Sequence, residues 1–219
     1  MRECSAVTST RLPTGEPLIG GFVRLDVLTE ADLPELHPVL ADPEVYAQGY
    51  VMHRRPSSRD DAVALARQRF MTGQGAADGR GGGRTAYAIR LVSDGPLGSA
   101  GTLVGTSSLA EAHLGNESIH LGSTLYGSRW WGTQVNPEAK FLLLSRCFEN
   151  CGYGRVKIQT DVLNTRSTAA IAKLGAVREG VTRRDMRRED GTFRDSVVFS
   201  ILSDEWPLVK EGLLARLRG

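Results

Sequence analysis

The order in which two hydrophobic periods alternate along the chain limits its fold more than any other feature. Phe22-Val23-Arg24-Leu25-Asp26-Val27-Leu28 alternates at period two, as a half-buried strand does. Thr29, with Asp32 three residues on, opens a helix that should end near Asp42-Pro43. Ser57-Ser58-Arg59-Asp60 opens a second through Phe70, with Val63, Ala66 and Phe70 on one face. Three strands follow, Ala86–Val92, Leu103–Leu109 and Ser118–Tyr126, with turns at Gly95-Pro96 and Gly115-Asn116. A helix over Pro137–Cys151 stops at Gly152, and Arg155–Thr160 alternates again, with Val156, Ile158 and Thr160 on one face. Asn164–Leu174 reads as a helix closed by Gly175. Strands Val177–Arg188 and Phe193–Leu202 then meet at an Asp190-Gly191 hairpin, and Ser203 should cap a last helix containing Pro207.

Consecutive strands imply antiparallel meanders, and the strand–helix–strand unit over 118–160 implies one parallel crossover. The expected fold is one α/β domain over residues 21–219, with a mixed, mostly antiparallel sheet of about seven strands and helices on both faces. Residues 1–20, rich in Ser, Thr, Gly and Pro, read as an extended leader.

Composition excludes several classes. A net charge of +2 lacks the basic excess of nucleic-acid or membrane-surface binders. No apolar run approaches the roughly 18 residues of a membrane span, and the N-terminus lacks the apolar core of a signal peptide. The three cysteines, Cys4, Cys147 and Cys151, give no disulfide framework, so a cytoplasmic location is expected. Cys147 and Cys151 lie four apart on one helix with no suitably spaced His, which suits core packing rather than a metal site. The Gly-rich stretch 73–83 lacks a Gly-Lys-Ser/Thr ending, and no Gly-x-Gly-x-x-Gly opens a helix after a strand. Neither a phosphate-cradling P-loop nor a dinucleotide fold is expected. The cluster Arg183-Arg184-Asp185-Met186-Arg187-Arg188 reads as a solvated strand face.

Chemistry concentrates where the strand at Leu125-Tyr126 runs through Gly127-Ser128-Arg129-Trp130-Trp131-Gly132-Thr133-Gln134-Val135 into a helix at Asn136-Pro137-Glu138. With Asn136 as N-cap, the unpaired amides of the loop and first turn would converge as an anion site. This segment, together with Asn164-Thr165-Arg166-Ser167 leading into Lys173-Leu174-Gly175 and the closing hairpin 190–202, resembles the GNAT superfamily of N-acyltransferases, especially its Rim-type branch. The turn departs from the branch pattern: only Gly132 keeps an expected glycine, and Gln134 and Asn136 replace small residues.

The resemblance implies a GNAT-like domain that moves an acetyl group from acetyl-CoA directly to a primary amine, a protein N-terminus or a small molecule, without metal. It implies that Trp131, Gly132, Thr133, Gln134, Val135 and Asn136 hold the pyrophosphate. The amides of Leu125 and Tyr126 would bind the pantetheine arm and polarise the thioester, Asn164 would bond the same arm, and Ser167 would protonate the departing thiol. Branch members are often dimers, so a homodimer is implied. His120, where many relatives carry Glu, is the candidate base, ahead of Glu111, Glu117 and His113. Tyr46, Tyr50, Met52 and His53 fall where relatives close over the acceptor. Trp130 and Trp131 either wall the cofactor or pack beside it. The departures at Gln134, Asn136 and His120 keep open a non-catalytic acyl-CoA-binding or sensor protein of the same fold.

Overall fold

Each stretch of strand period forms a strand, and one further short strand joins them in the computed structural model, which describes residues 10–47, 51–74 and 83–218. The strands are β1 (Leu18–Ile19), β2 (Val23–Val27), β3 (Arg84–Leu91), β4 (Leu103–His113), β5 (Ser118–Tyr126), β6 (Arg155–Asp161), β7 (Val177–Arg187) and β8 (Phe193–Leu202). They make one sheet in the order β1-β2-β3-β4-β5-β6-β8-β7. Only β5 and β6 pair in parallel; all other neighbours are antiparallel. The count is therefore eight rather than about seven. The extra strand is two residues long, too short to show a period.

Helices cover both faces. On one lie a 3-10 segment (Glu30–Leu36) with α1 (His37–Leu40), α2 (Pro43–Tyr46) and α3 (Arg59–Ala66), which ends in a π turn over Arg67–Met71. Leu33, Leu36, Leu40 and Phe70 pack there against Ala86 and Ala88. The opening helix is thus 3-10 where α was expected, with Pro34 inside it, and the Asp32 carboxylate accepts the Thr29 amide at 2.7 Å. On the other face lie α4 (Val135–Ser145), α5 (Thr165–Ala172) and α6 (Trp206–Arg218). There Val135, Leu143, Cys147, Val156 and Ile201 form the larger core. Cys147 and Cys151 are buried free thiols, as core packing requires. The indole of Trp206 stacks on Phe148 at 5.4 Å. α6 begins at Trp206, later than a Ser203 cap would place it, because the Glu205 carboxylate accepts the Leu202 amide.

The segment read as a leader lies against this second face over its described residues. Leu18 is buried, Arg11 N donates to the Cys151 carbonyl at 3.0 Å, and Arg146 reaches Thr14 and Glu16. The firmest tie is Glu138, in the first turn of α4. Its buried carboxylate accepts the amides of Gly21 (2.8 Å), Phe22 (2.6 Å) and Val23 (2.6 Å). Gly20 must be bare here, since a Cβ would lie 2.3 Å from the carboxyl carbon.

Removing that carboxylate leaves three amides short of an acceptor, each costing about 1–3 kcal/mol where buried. Glu138→Ala should lower unfolding free energy by about 3–5 kcal/mol, and Glu138→Gln, which keeps one acceptor oxygen, by less. Denaturant midpoints that coincide for the three proteins would show that the tie carries no stability.

Candidate active site

β5 and β6 pair only through Ser118↔Arg155, Ile119↔Val156 and His120↔Lys157. Beyond these they part. The parting begins where β5 bulges against β4: Ser108 faces Gly122 and Thr106 faces Leu125, so Ser123 and Thr124 together oppose Ser107. Ser123 takes a left-handed φ of 49°, and such a bulge bends its strand and sharpens the twist. The wedge is walled by Leu121–Tyr126 on one side and Ile158–Asp161 on the other.

The wedge passes through the sheet. Ile119 and Leu121 lie in the α4-side core, so alternation turns His120 and Gly122 toward the α3 face. Val197, Phe199 and Ile201 do the same in β8, which puts Arg194 and Ser196 on the α3 face too. Asn136, Lys140, Asn164, Ser167 and Trp131 line the α4 side of the opening, and Tyr46, Val51, Met52, Arg69 and Arg194 line the other.

The α4 side is built for an anion. Gly132 has φ 75°, and a Cβ there would meet nothing within 4 Å, so space is open above it. Among the described residues the amides of Gly132, Thr133, Gln134 and Asn136 meet no protein acceptor. The Arg166 guanidinium lies 3.1 Å from the centre of the Trp131 ring. Open amides, a positive helix end and a nearby guanidinium suit a phosphate-bearing ligand. One turn into α4, Lys140 is 5% exposed and donates to Thr124 Oγ1 at 2.8 Å. Burial pulls its amine down to about 7. The Thr124 hydroxyl continues to Ser107 Oγ at 2.8 Å. At the head of α5, Asn164 Oδ1 accepts the Ser167 amide at 2.9 Å, while Ser167 lines the wedge and its hydroxyl makes no hydrogen bond among the described residues.

Residues 23–177 match the acetyltransferase (GNAT) domain family. The chain belongs to the GNAT acetyltransferase family. Among solved structures it is similar to a proposed acetyltransferase at 36% identity and TM-score 0.78, covering 95% of this chain and 97% of that one. It is also similar to a proposed acetyltransferase from T. thermophilus at 34% identity and TM-score 0.77, covering 94% and 100%. Mycobacterium smegmatis RimJ in complex with CoA-disulfide shares the fold at 17% identity and TM-score 0.69, covering 93% of this chain and 96% of that one. No curated protein matches the chain by sequence.

Within this GNAT domain the structure gathers Leu125, Tyr126, Trp131, Gly132, Asn136, Asn164, Ser167 and Tyr46 around one wedge. Others stand apart. Asn136 is not the N-cap: α4 starts at Val135, whose amide donates to Thr133 Oγ1 at 3.3 Å, and Asn136 is the second helical residue. Val135 is fully buried in the core, and Thr133 and Gln134 are not among the residues that line the wedge. Trp130 packs away from the wedge, its indole on the Leu97 carbonyl, whereas the Trp131 indole donates to the Tyr126 carbonyl and its ring forms part of the wall.

His53 lines a separate hollow with Arg55, Asp61, Arg187 and Glu189. Tyr50 lies outside the described residues. His120 sits one residue behind the wall. Its Nδ1 is 3.2 Å from Glu111 Oε1, and Nε2 is buried with no partner. That ring fills the space beside Gly122, where a Cβ would come within 2.7 Å of Nε2. Hydrogen bonds from His120 and Lys157 hold the Glu111 carboxyl near 2.

Sequence reasoning passed over Lys140, Asp161, Arg69 and Arg194. Lys140 had one available signal: it stands four residues after Asn136, hence on the same helical face as the mouth. Arg188, read with its neighbours as solvated, instead turns inward to pair with buried Asp161.

Lys140 also leaves a mark on stability. Its folded pKa of about 7 lies below the ordinary lysine value, so above pH 7 the unfolded chain binds the extra proton. Stability should therefore rise between pH 6 and 8, with a slope reaching at most about 1.4 kcal/mol per unit. Lys140→Met should flatten the rise. Unfolding midpoints across this range, below that where the buried Cys147 and the buried tyrosines oppose the trend, provide the measurement; equal slopes would mean the amine titrates normally.

Proposed function

We propose that this GNAT domain moves an acetyl group from acetyl-CoA to a primary amine by direct transfer. The observation that carries the proposal is the wedge, open on both faces of the sheet, with amides that meet no acceptor among the described residues on one side, and Tyr46, Arg69 and Arg194 on the other, where His120 stands one residue behind the wall. Acetyl-CoA enters from the α4 side, its pyrophosphate over Gly132 and its pantetheine arm between β5 and β6. The amides at Leu125 and Tyr126 and the Lys140–Thr124 pair supply fixed dipoles beside the thioester carbonyl. The amine arrives from the α3 face and attacks the carbonyl carbon, and the C–S bond breaks. The coenzyme leaves as a thiolate that accepts a hydrogen bond from the Ser167 hydroxyl, which keeps its proton, and His120 Nε2 takes the amine's proton through one intervening water. The carboxylate of Glu111 orients the ring through Nδ1.

Acetyl-CoA at about 100 times its dissociation constant should add roughly 2.7 kcal/mol of apparent stability. Gly132→Val should weaken that effect, because the turn needs a left-handed φ and the added methyls occupy the space above the amides. Ser167→Ala should lower turnover roughly 10–100-fold with cofactor affinity nearly unchanged. Thiol release from acetyl-CoA against a panel of peptides and small amines tests the proposal. Binding without transfer to any amine would make the protein an acyl-CoA binder instead.

His120 has its own readout. His120→Ala should lower turnover roughly 10–100-fold with acceptors of every pKa, while acetyl-CoA affinity stays nearly unchanged. Turnover that ignores the substitution would assign the proton to water.

A further inference from the structure

The α3 side of the wedge holds more positive charge than its own carboxylates can answer. Arg69, in the π turn that ends α3, is half-buried in the wedge wall. Among the described residues its guanidinium has no hydrogen bond and no ion pair; it lies 5.5 Å from the centre of the Phe70 ring and near the Tyr46 phenol. Arg194, half-buried in β8, spends Nε on Ser196 Oγ at 2.8 Å, and its terminal nitrogens meet no acceptor among the described residues. The neighbouring carboxylates are taken. Asp161 is paired with Arg188, and Asp185 accepts from Ser196 Oγ at 2.6 Å and Gln159 Nε2 at 3.2 Å. Nearby Arg84 donates to the Ser108 and Ser123 hydroxyls and makes no ion pair among the described residues, although the charge of Glu111 acts on it.

A partly desolvated guanidinium without an anion is expensive, and arginine's forked donors fit carboxylate or phosphate oxygens. We propose that Arg69 and Arg194 form an anion subsite for the acceptor, so that the substrate is a primary amine carrying a carboxylate or phosphate group. This rests on the transfer reaction proposed above. Position supports it: both arginines lie on the face opposite the open amides of α4, so they do not serve the pyrophosphate. Burial lowers the pKa of each; the Tyr46 phenol acts against this on Arg69 while the charges of Arg194 and Arg84 add to it, and the charges of Asp161 and Asp185 act against it on Arg194, where that of Arg188 adds to it. The same field acts on the acceptor nitrogen. Two guanidinium groups disfavour an ammonium and favour the neutral amine that attacks. Binding the anionic end and deprotonating the amine thus come from one pair of charges.

Matched acceptors test the subsite. Glucosamine 6-phosphate is compared with glucosamine, and Ala-Glu with Ala-Gln, the second of each pair lacking one anionic group. The first member should have kcat/KM at least about tenfold higher in one or both pairs, about 1.4 kcal/mol. Which pair shows it separates phosphate from carboxylate. Arg69→Gln and Arg194→Gln should each shrink the gap, mainly through KM, while Arg69→Lys and Arg194→Lys keep part of it. Acetyl-CoA binding by calorimetry, measured on every variant, reports that the fold is intact.

Neutral acceptors used as well as their anionic twins would overturn the subsite and leave the transferase standing. So would a gap that survives both Gln variants. Acetyl-CoA binding with no amine acetylated at all would overturn both readings.

Discussion

The structure turns on a sheet that stops zipping. Three residue pairs join β5 to β6, and then the ladder ends although both strands continue. Parallel strands normally remain paired because each unpaired backbone group buried in a core costs a hydrogen bond. Here the cost is avoided locally. The bulge at Ser123 bends β5, the Trp131 indole takes the Tyr126 carbonyl, and the rest of the gap faces solvent and ligand. Gly105 permits the geometry on the β4 side, where a Cβ would lie 2.3 Å from the Leu125 carbonyl oxygen. A strand with a side chain there could not hold the bent β5 close.

Because the opening passes through the sheet, its two ends can carry different chemistry. The α4 end offers backbone amides and a helix terminus, groups with no titration to manage. The α3 end offers side chains: a phenol and guanidinium groups, with the His120 imidazole one residue behind the wall. Alternation along β5 and β8 sorts the residues between the ends, so one residue of register decides which end a group faces. The sheet is both the wall of the opening and the divider between its two ends.

Much of this was legible before any coordinates. Period two and period 3.6 separate cleanly over residues 84–202, and the one crossover follows from their order. Asn164 and Ser167 could be read because a cap is local: the side chain and the amide it accepts are three residues apart. What failed was non-local or shared between motifs. Asn136-Pro137 looks like a cap followed by a first helical residue, yet Thr133 supplies the hydroxyl and the helix starts earlier. Pro137 is tolerated one position deeper because that amide, too, precedes the first intrahelical bond. Arg69 and Arg194 carry no sequence signal, since their meaning depends on which carboxylates other elements bring near. The interleaved 183–188 cluster showed the opposite trap: Arg183, Arg184 and Arg187 are indeed exposed, and Arg188 alone is recruited inward.

Glu138 has a consequence in time as well as in space. The amides of Gly21, Phe22 and Val23 leave the ribosome more than a hundred residues before the carboxylate that accepts them. Until α4 emerges, β1 and β2 are an incomplete sheet edge with open donors, the kind of surface that pairs with the wrong chain. β1 and β2 are therefore secured only after β3, β4 and β5 have been synthesised, and nascent chains are most exposed to misassociation while the middle of the sheet is still being made.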